Sequence, residues 1–185
     1  MGTLLSPGPT FRRLAESPRG RGASPIWILG AAWSLLSLCL AVQGRQPSGP
    51  AGPPFPAESY YFWQTLFLPP LLYGLWRFLT WTTASLARSL GGEGDPDALG
   101  NVLGYAYAVP VLVSLVLPDL WILLFWGFER LSRAMMYYAP VTLIWTLVLC
   151  TLGVRTVFGL SWVRAVTAAL GGLMAQAMLG AVWIR

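Results

Sequence analysis

The chain has 185 residues, of which 56% are hydrophobic and only 10% are charged, with a formal net charge of +5. Soluble domains average roughly 25% charged residues. The apolar residues here form long uncharged blocks, which excludes an ordinary soluble domain and predicts a helical membrane protein. All twelve basic residues are arginines, mostly at the ends of these blocks. We therefore interpret the positive charge as a topology signal and expect no nucleic-acid partner.

Residues 1–24 are polar and include four arginines, which predicts a cytoplasmic N-terminal segment. The apolar run that follows is too long for a signal peptide. We therefore expect residues 25–185 to form a single transmembrane domain, with a first span at about 25–42. The next residues, 44–58, contain five prolines and predict an extended, exposed loop, because proline cannot continue a helix.

The second predicted span, about 66–86, contains two prolines and a charge. Pro69 and Pro70 lie in its first turns and predict either a kink or a helix that begins there. A broken re-entrant element over 60–86 is the alternative to a span. Arg77 would cost roughly 2.5–3.5 kcal/mol at mid-bilayer. It is either buried beside a carboxylate or lipid phosphate, or extended towards an interface.

The third predicted span, about 98–117, has a well-marked start. The glycines of 91–94 predict the end of the preceding helix. Asp95 suits the N-cap position, and Pro96 suits the first helical position, where no backbone donor is needed. We interpret this acidic loop as a helix stop and a helix start rather than a calcium site. Pro110 should bend the span.

Small residues recur every four positions in the third span, at Gly100, Gly104 and Ala108, and so lie on one face of the helix. Such a face lets two backbones come close, which is how membrane helices gain packing energy. We therefore expect this helix to occupy the centre of the bundle. The last span has a second such face, with Gly171, Gly172 and Ala175, and we expect it to be the partner through Gly172 and Ala175. The fourth span, with Thr142 and Thr146, is the next candidate.

Residues 119–133 contain an uncharged run that is too short to cross a bilayer. Trp121 and Trp126 lie in this run, and the segment is predicted to be amphipathic and to lie at the membrane surface. Two longer uncharged runs give the fourth and fifth spans, at about 134–154 and 165–184.

Five spans place the two ends of the chain on opposite sides of the membrane. With the N-terminus inside, seven arginines are cytoplasmic and four are outside, which agrees with the positive-inside tendency. The predicted fold class is therefore an all-α polytopic transmembrane helix bundle with a cytoplasmic N-terminus and an external C-terminus. Arginine as the only basic residue, with much proline and glycine, suggests the cytoplasmic membrane of a bacterium.

Reactive side chains are scarce. The chain has no histidine, and its two cysteines, Cys39 and Cys150, lie far apart in apolar blocks. It therefore lacks an imidazole base and a partner that would activate a thiol. None of the seven carboxylates lies in a predicted span, where a proton relay would need one. We expect a protein that is not an enzyme and that binds no cofactor or metal.

Three stretches resemble the core of a known family. Gly91-Gly92-Glu93-Gly94 is followed by Tyr105-Ala106-Tyr107-Ala108-Val109-Pro110, and Gly159-Leu160-Ser161 precedes the last span. This pattern is similar to that of Yip-domain membrane proteins, bacterial branch, over nearly the whole chain. The resemblance implies a five-helix bundle with a cytoplasmic N-terminus. Eukaryotic members bind Rab-type GTPases in vesicle traffic, so such a partner is implied here only by distant family analogy.

Two classes of function follow. The leading hypothesis is a membrane scaffold or adaptor that binds protein partners or lipids, or associates with itself. The alternative is a small transporter or permease subunit, because helices broken by proline and an in-span charge can line substrate paths. A continuous polar cavity reaching the membrane midplane would favour the transporter, and a dry bundle would favour the scaffold.

The topology generates a first prediction. Reporter fusions at Asp95 and Arg155 should be active only with a cytoplasmic reporter, and a fusion at Pro50 only with an external one. Activity of an external reporter fused at Asp95 would contradict the orientation.

Overall fold

The computed structural model describes residues 7–47, 55–181 and 183. Within them the chain forms seven α-helices and no strand. In chain order the helices are α1 (Pro7–Ala15), α2 (Ala23–Val42), α3 (Tyr60–Ser89), α4 (Pro96–Val111), α5 (Leu117–Phe125), α6 (Phe128–Phe158) and α7 (Trp162–Gly180). The middle of the predicted proline-rich loop and the last residues of the predicted fifth span lie outside the described residues.

Four helical runs are long and apolar enough to cross a membrane. They are Ala23–Val42, Pro96–Phe125, Arg133–Phe158 and Trp162–Gly180. Helix α3 has 30 residues, more than the roughly 20 that a span needs. It is not among the four, because its arginines, threonines and prolines lower its hydropathy.

The helices run between two ends of one bundle. At the first, which we call the arm end, Arg19 pairs with Asp97 at 2.9 Å and the Arg164 guanidinium donates to the Leu90 carbonyl. At the far end, the Tyr60 hydroxyl donates to the Trp183 carbonyl at 2.6 Å. The N-terminal segment and the last described residue therefore lie at opposite ends.

Helix α3 is continuous through Pro69 and Pro70 and begins at Tyr60. The proposals of a helix that starts at the prolines and of a broken re-entrant element are therefore wrong. Pro69 has no N–H, so the Thr65 carbonyl loses its helical partner. The Ser34 hydroxyl on α2 donates to that carbonyl at 2.9 Å. A neighbouring helix thus satisfies the freed group, and the helix need not break.

Pro110 is followed by a five-residue π-helical turn, Leu112–Val116, rather than by a break. Such turns absorb a local mismatch in the helical hydrogen-bond ladder. The Ser114 hydroxyl lies 2.7 Å from the Pro110 carbonyl and 2.8 Å from the Thr142 hydroxyl of α6. The effect of Pro110 is therefore a local change of helical pitch, and a hydrogen bond from the neighbouring helix α6 stabilises this turn.

The boundaries predicted for the segment 119–133 do not coincide with helix ends. The helical run that begins at Pro96 continues to Phe125, and α6 begins at Phe128 after a turn at Gly127, where φ is +84°. The uncharged residues up to Phe125 complete one long helix instead of forming a separate element. Trp121 and Trp126 are more than half exposed at the far end, and their headgroup depth stays a prediction.

The start of α4 agrees with its sequence signals. The Asp95 carboxylate accepts from the amides of Asp97 and Ala98, and Pro96 occupies the first turn. Gly91 has a φ of +85°, and the Gly92 amide donates to the Ala87 carbonyl at 2.9 Å, which ends α3. The predicted N-cap and glycine stop are both confirmed.

The face carrying Gly104 does not meet the last span. A Cβ on Gly104 would lie 2.7 Å from the Cα of Gly22, the residue before α2. Helix α4 contacts α1, α2, α3 and α6, whereas Gly172 faces the Thr83 side chain of α3. The predicted pairing of Gly104 with Gly172 is wrong, because α3 and the residues before α2 occupy the positions between them.

These contacts predict different effects for one substitution at two glycines. Gly104→Ala should destabilise the purified full chain by roughly 1–3 kcal/mol, because the new methyl group meets backbone that cannot rotate away. Gly74→Ala is the matched control, since no atom lies within 4 Å of the new methyl group. It should leave stability unchanged or raise it by up to about 1 kcal/mol. Thermal unfolding in mild detergent compares them, and equal midpoints would contradict the close contact.

Candidate functional site

The N-terminal segment is folded onto the arm end of the bundle. Phe11 and Leu14, on one face of α1, are buried in the same apolar cluster as Leu99, Val102 and Leu149. Helix α1 contacts both α4 and α6. We call residues 7–22 the N-terminal arm. Burial of its apolar face makes the arm part of the bundle rather than a free tail.

Asn101 on α4 joins the arm to the bundle. It is 2% exposed. Its Oδ1 accepts from the Gly22 amide at 3.1 Å, and its Nδ2 lies 3.1 Å from the carbonyls of both Ser17 and Pro18. A buried amide side chain costs free energy unless it is hydrogen-bonded. Here the amide side chain and three backbone groups of the arm satisfy one another's hydrogen-bonding capacity.

The close approach of two backbones makes these bonds possible. A Cβ on Gly22 would lie 2.8 Å from the Cα of Asn101. Gly100 also lacks a Cβ, and its carbonyl accepts from the Trp76 indole of α3 at 3.1 Å. Gly100 and Gly104 therefore contact α3 and the arm respectively, and Ala108, the third residue of the predicted face, is 1% exposed.

The two other connections at the arm end pack together. A Cβ on Gly94 would lie 2.7 Å from the Val157 carbonyl oxygen, so the connection between α3 and α4 lies against the end of α6. The Arg155 guanidinium lies 4.1 Å from the centre of the Trp162 ring, a favourable cation–π geometry. Arm, loops and helix ends thus form one packed surface.

This surface is basic. It carries seven arginines against four carboxylates: Arg12, Arg13, Arg19, Arg21, Arg88, Arg155 and Arg164 against Glu16, Glu93, Asp95 and Asp97. Two of the carboxylates are engaged, since Asp95 caps α4 and Asp97 pairs with Arg19. Exposed arginines such as Arg12, Arg13 and Arg88 form no ion pair within the described part of the chain.

Arg77 lies outside this surface, on the exterior of α3. It is exposed, and its guanidinium lies 5.8 Å from the Trp76 ring centre. Among the described residues no carboxylate pairs with it. The interpretation of a buried arginine paired with a carboxylate is therefore wrong. Its exposed position favours a long stem extended along the bundle surface.

The small residues of the last span lie against α3. A Cβ on Gly171 would lie 2.7 Å from Leu86 Cδ1, and one on Gly172 would lie 3.2 Å from Thr83 Cβ. Ala175 is half-buried one turn further along. These residues allow close packing of α7, as small residues do in membrane bundles.

A cavity of about 390 Å³ lies in the half of the bundle nearer the far end. It is lined by α2, α3, α4, α6 and α7, mostly with apolar side chains. Its polar lining residues are Tyr107, Thr142, Thr146 and Gln176, and no charged residue lines it within the described part of the chain. Met135 and Leu143 of α6 line the cavity and are 42% and 70% exposed, so the cavity is open to the outside along α6.

Two carboxylates lie within a helical run that is long enough to span: Asp97 in the first turn of Pro96–Phe125, and Asp119 further along it. Asp119 is buried and accepts a hydrogen bond from the Tyr138 hydroxyl. Both carboxylates lie outside the predicted third span, about 98–117, but inside the longer helical run that the structure forms. Asp119 is 23 residues after Pro96, about 34 Å along the axis, so it lies near the far interface rather than at mid-bilayer.

Comparison with known proteins decides the family. The model of the Yip1 domain matches residues 1–184. The chain belongs to the Yip1 domain family. No curated protein and no solved structure matches it significantly. Family membership together with apolar helices identifies the chain as a membrane protein.

Sequence reasoning missed Asn101 and Gln176. Each is a lone amide in an apolar helix, which is a recognisable signal because such a group needs a hydrogen-bond partner in the bilayer. The partners of Asn101 are 79 to 84 residues away in the chain, so the pattern within α4 could not identify them.

The contacts of Asn101 generate a third prediction. Asn101→Leu should release the arm, because it leaves buried backbone groups unpaired at about 1–3 kcal/mol each. Trypsin should then cleave at Arg12, Arg13 or Arg19 roughly tenfold faster or more. Ser24→Ala is the control, since the Ser24 hydroxyl bonds only the nearby Arg21 carbonyl. Unchanged cleavage of Asn101→Leu would show that Asn101 does not hold the arm.

Proposed function

We propose that this Yip1-family protein is a five-span scaffold or adaptor of the bacterial cytoplasmic membrane, with its arm end in the cytoplasm. It works by binding a protein partner and catalyses no reaction. In this proposal helix α3 also spans the membrane, which raises the number of spans from the four apolar runs to five. Its 30 residues reach about 45 Å, and it joins the far-end turn at Tyr60 to the arm end. Orientation follows from the excess of arginine at the arm end.

The observation that carries the proposal is the folded, basic surface of the arm end. Its backbone is held by the buried contacts of Asn101, Gly22 and Gly104, so its arginines project from a fixed framework. A preorganised surface loses less conformational entropy on binding than a flexible tail. Arginine forms forked hydrogen bonds with carboxylates. The partner proposed is therefore a protein with an acidic surface at the cytoplasmic side of the membrane.

The proposal includes two secondary classes of partner, anionic lipids and a second copy of the chain. Anionic lipid headgroups are attracted to the same arginines and would help to seat the arm end against the membrane. Self-association through exposed apolar helix faces is compatible with the same scaffold. A Rab-type GTPase partner is implied only by distant family analogy, and no residue of this chain is assigned to binding it.

The transporter alternative needs a polar path to the membrane midplane. The cavity is instead largely apolar and open to the outside along α6, and its described lining contains no charged residue. Pro69 and Pro110 lie in continuous helical runs. The Thr65 carbonyl that Pro69 frees accepts a hydrogen bond from Ser34, and Ser114, in the turn after Pro110, is hydrogen-bonded to Thr142. The geometry therefore supports the scaffold better.

A fourth prediction tests the basic surface. Arg12→Glu with Arg13→Glu in the tagged full chain should abolish chemical cross-links to its cytoplasmic protein partner in native membrane vesicles. Arg130→Glu with Arg133→Glu is the matched control at the far end, and it should leave the same cross-linked species in place. Higher ionic strength should weaken the cross-link in the unmodified chain, because exposed charges are screened. Equal loss in both variants, or in neither, would contradict a partner site at the arm end.

A further inference from the structure

Arg77 lies at the arm-side edge of the apolar core of the membrane. The indole of its neighbour Trp76 donates to the Gly100 carbonyl at 3.1 Å, and a Cβ on Gly22 would meet the same carbonyl oxygen. Helix α2 begins directly after Gly22, and its 20 residues carry no charge, which is about the length that one bilayer crossing needs. The start of α2 therefore marks the edge of the core on the arm side. Because Gly22 and the Trp76 indole meet at one carbonyl, Arg77 lies at that edge as well.

The length of α3 agrees with this level. Tyr60 begins the helix at the far end, and Arg77 follows 17 residues later, about 26 Å along the axis. This distance is most of the roughly 30 Å thickness of an apolar bilayer core. The remaining turns of α3, 78–89, extend into the arm end. Arg77 is thus near the middle of a long helix but near the edge of the membrane core.

Aromatic rings surround Arg77 on the outer face of the bundle. Tyr73, Arg77 and Trp81 are exposed and four residues apart, so they lie on one face of α3. The Tyr73 ring stacks on Trp27 of α2 with the ring centres 5.5 Å apart. Tyrosine and tryptophan rings favour the headgroup level of a membrane. This face therefore combines an interfacial aromatic belt with one cation.

Arg21 lies at the same level beside the neighbouring helix. It is exposed, and its carbonyl accepts from the Ser24 hydroxyl at 3.0 Å, which fixes the backbone at the start of α2. Helices α2 and α3 run in opposite directions. From the stacked rings towards the arm end, α2 therefore leads to Arg21 and α3 leads to Arg77. The two arginines flank one place on the outer surface of the bundle.

Among the described residues no carboxylate pairs with Arg21 or Arg77. Helices α2 and α3 contain no carboxylate at all. The ion pairs of the described chain join Arg19 to Asp97 and Arg45 to Glu129. The counterion must therefore come from outside the chain, and the anion available at this depth is the phosphate of a lipid. Arginine binds phosphate through forked, charge-assisted hydrogen bonds.

We propose that Arg21 and Arg77 bind the phosphate of one anionic glycerophospholipid, of the phosphatidylglycerol class, in the leaflet on the arm side. Two guanidinium groups favour a headgroup with a net negative charge over a zwitterionic one, whose ammonium group they repel. The acyl chains follow the aromatic rings of α2 and α3 towards the membrane centre. The site shares Arg21 with the basic surface of the arm end but includes neither Arg12 nor Arg13, which carry the test of the protein partner. Either proposal can therefore fail without the other.

Photolabelling of the full chain in vesicles tests the site. The protein is reconstituted into phosphatidylethanolamine with a trace of a probe lipid. The probe carries a diazirine in one acyl chain and either a phosphatidylglycerol or a phosphatidylethanolamine headgroup, and labelled peptides are identified by mass spectrometry. Around Trp27 and Tyr73 the glycerol probe should label about three- to tenfold more than the ethanolamine probe, the effect of one charge-assisted hydrogen bond. Equal labelling by the two probes there would overturn the site.

Matched variants separate the site from a general attraction of charge. Arg77→Gln removes one guanidinium from an exposed position and should lower labelling by the glycerol probe to the level of the ethanolamine probe. Arg21→Gln, on the other side of the site, should lower it in the same direction. Arg88→Gln is the control, because Arg88 is exposed on the same helix about 16 Å further towards the arm end. It should label like the unmodified chain, and equal labelling of Arg77→Gln and Arg88→Gln would contradict the role of Arg77.

The source of the phosphate is tested by changing the buffer. Labelling by the glycerol probe should be the same in phosphate and in chloride of equal ionic strength. A selective loss in phosphate would show that the site binds free phosphate. Cross-links between two copies of the chain at this face would show that protein covers it. Either result would overturn the lipid site.

Discussion

The structure depends on one contact between two backbones, where the residue before α2 crosses α4. Gly22 meets Gly104 and Asn101 so closely that no side chain fits between them. In a bilayer no hydrophobic drive brings apolar helices together, so close van der Waals contact and hydrogen bonds supply the association energy. The crossing provides both, because the missing Cβ atoms bring the Gly22 amide within 3.1 Å of Asn101. It fixes the arm, the start of α2 and the orientation of α4 together.

Local features of the fold were predictable from sequence, because the signals and their effects lie within one turn of helix. Asp95 and Pro96 start α4, and the glycine at 91 ends α3, as local backbone chemistry requires. The length of α3 was underestimated, because prolines at 69 and 70 normally mark a helix boundary. The Ser34 hydroxyl of another helix satisfies the carbonyl that Pro69 frees. That compensation is a tertiary contact, which no local pattern contains.

Pairing between distant segments was not predictable. The face of Gly100, Gly104 and Ala108 indicated a close approach, but α2, α3, α6 and α7 all contain small residues that could pack against it. The partner of Gly104 is a single residue outside any span, and Gly172 faces α3 instead. The candidate sites were likewise predictable only in part. The arginine excess could be counted from the sequence, whereas the folded arm that presents it and the cavity around Gln176 arise from several helices at once.

The central claim is that the N-terminal arm is part of the folded membrane domain, and amide hydrogen exchange at Gly22 tests it most directly. In the full chain reconstituted in a bilayer, the Gly22 amide donates to a buried acceptor and should open only when the arm detaches. It should therefore exchange as slowly as amides in the middle of α4. Exchange at the rate of an unstructured peptide would show that the arm is free and would contradict the account.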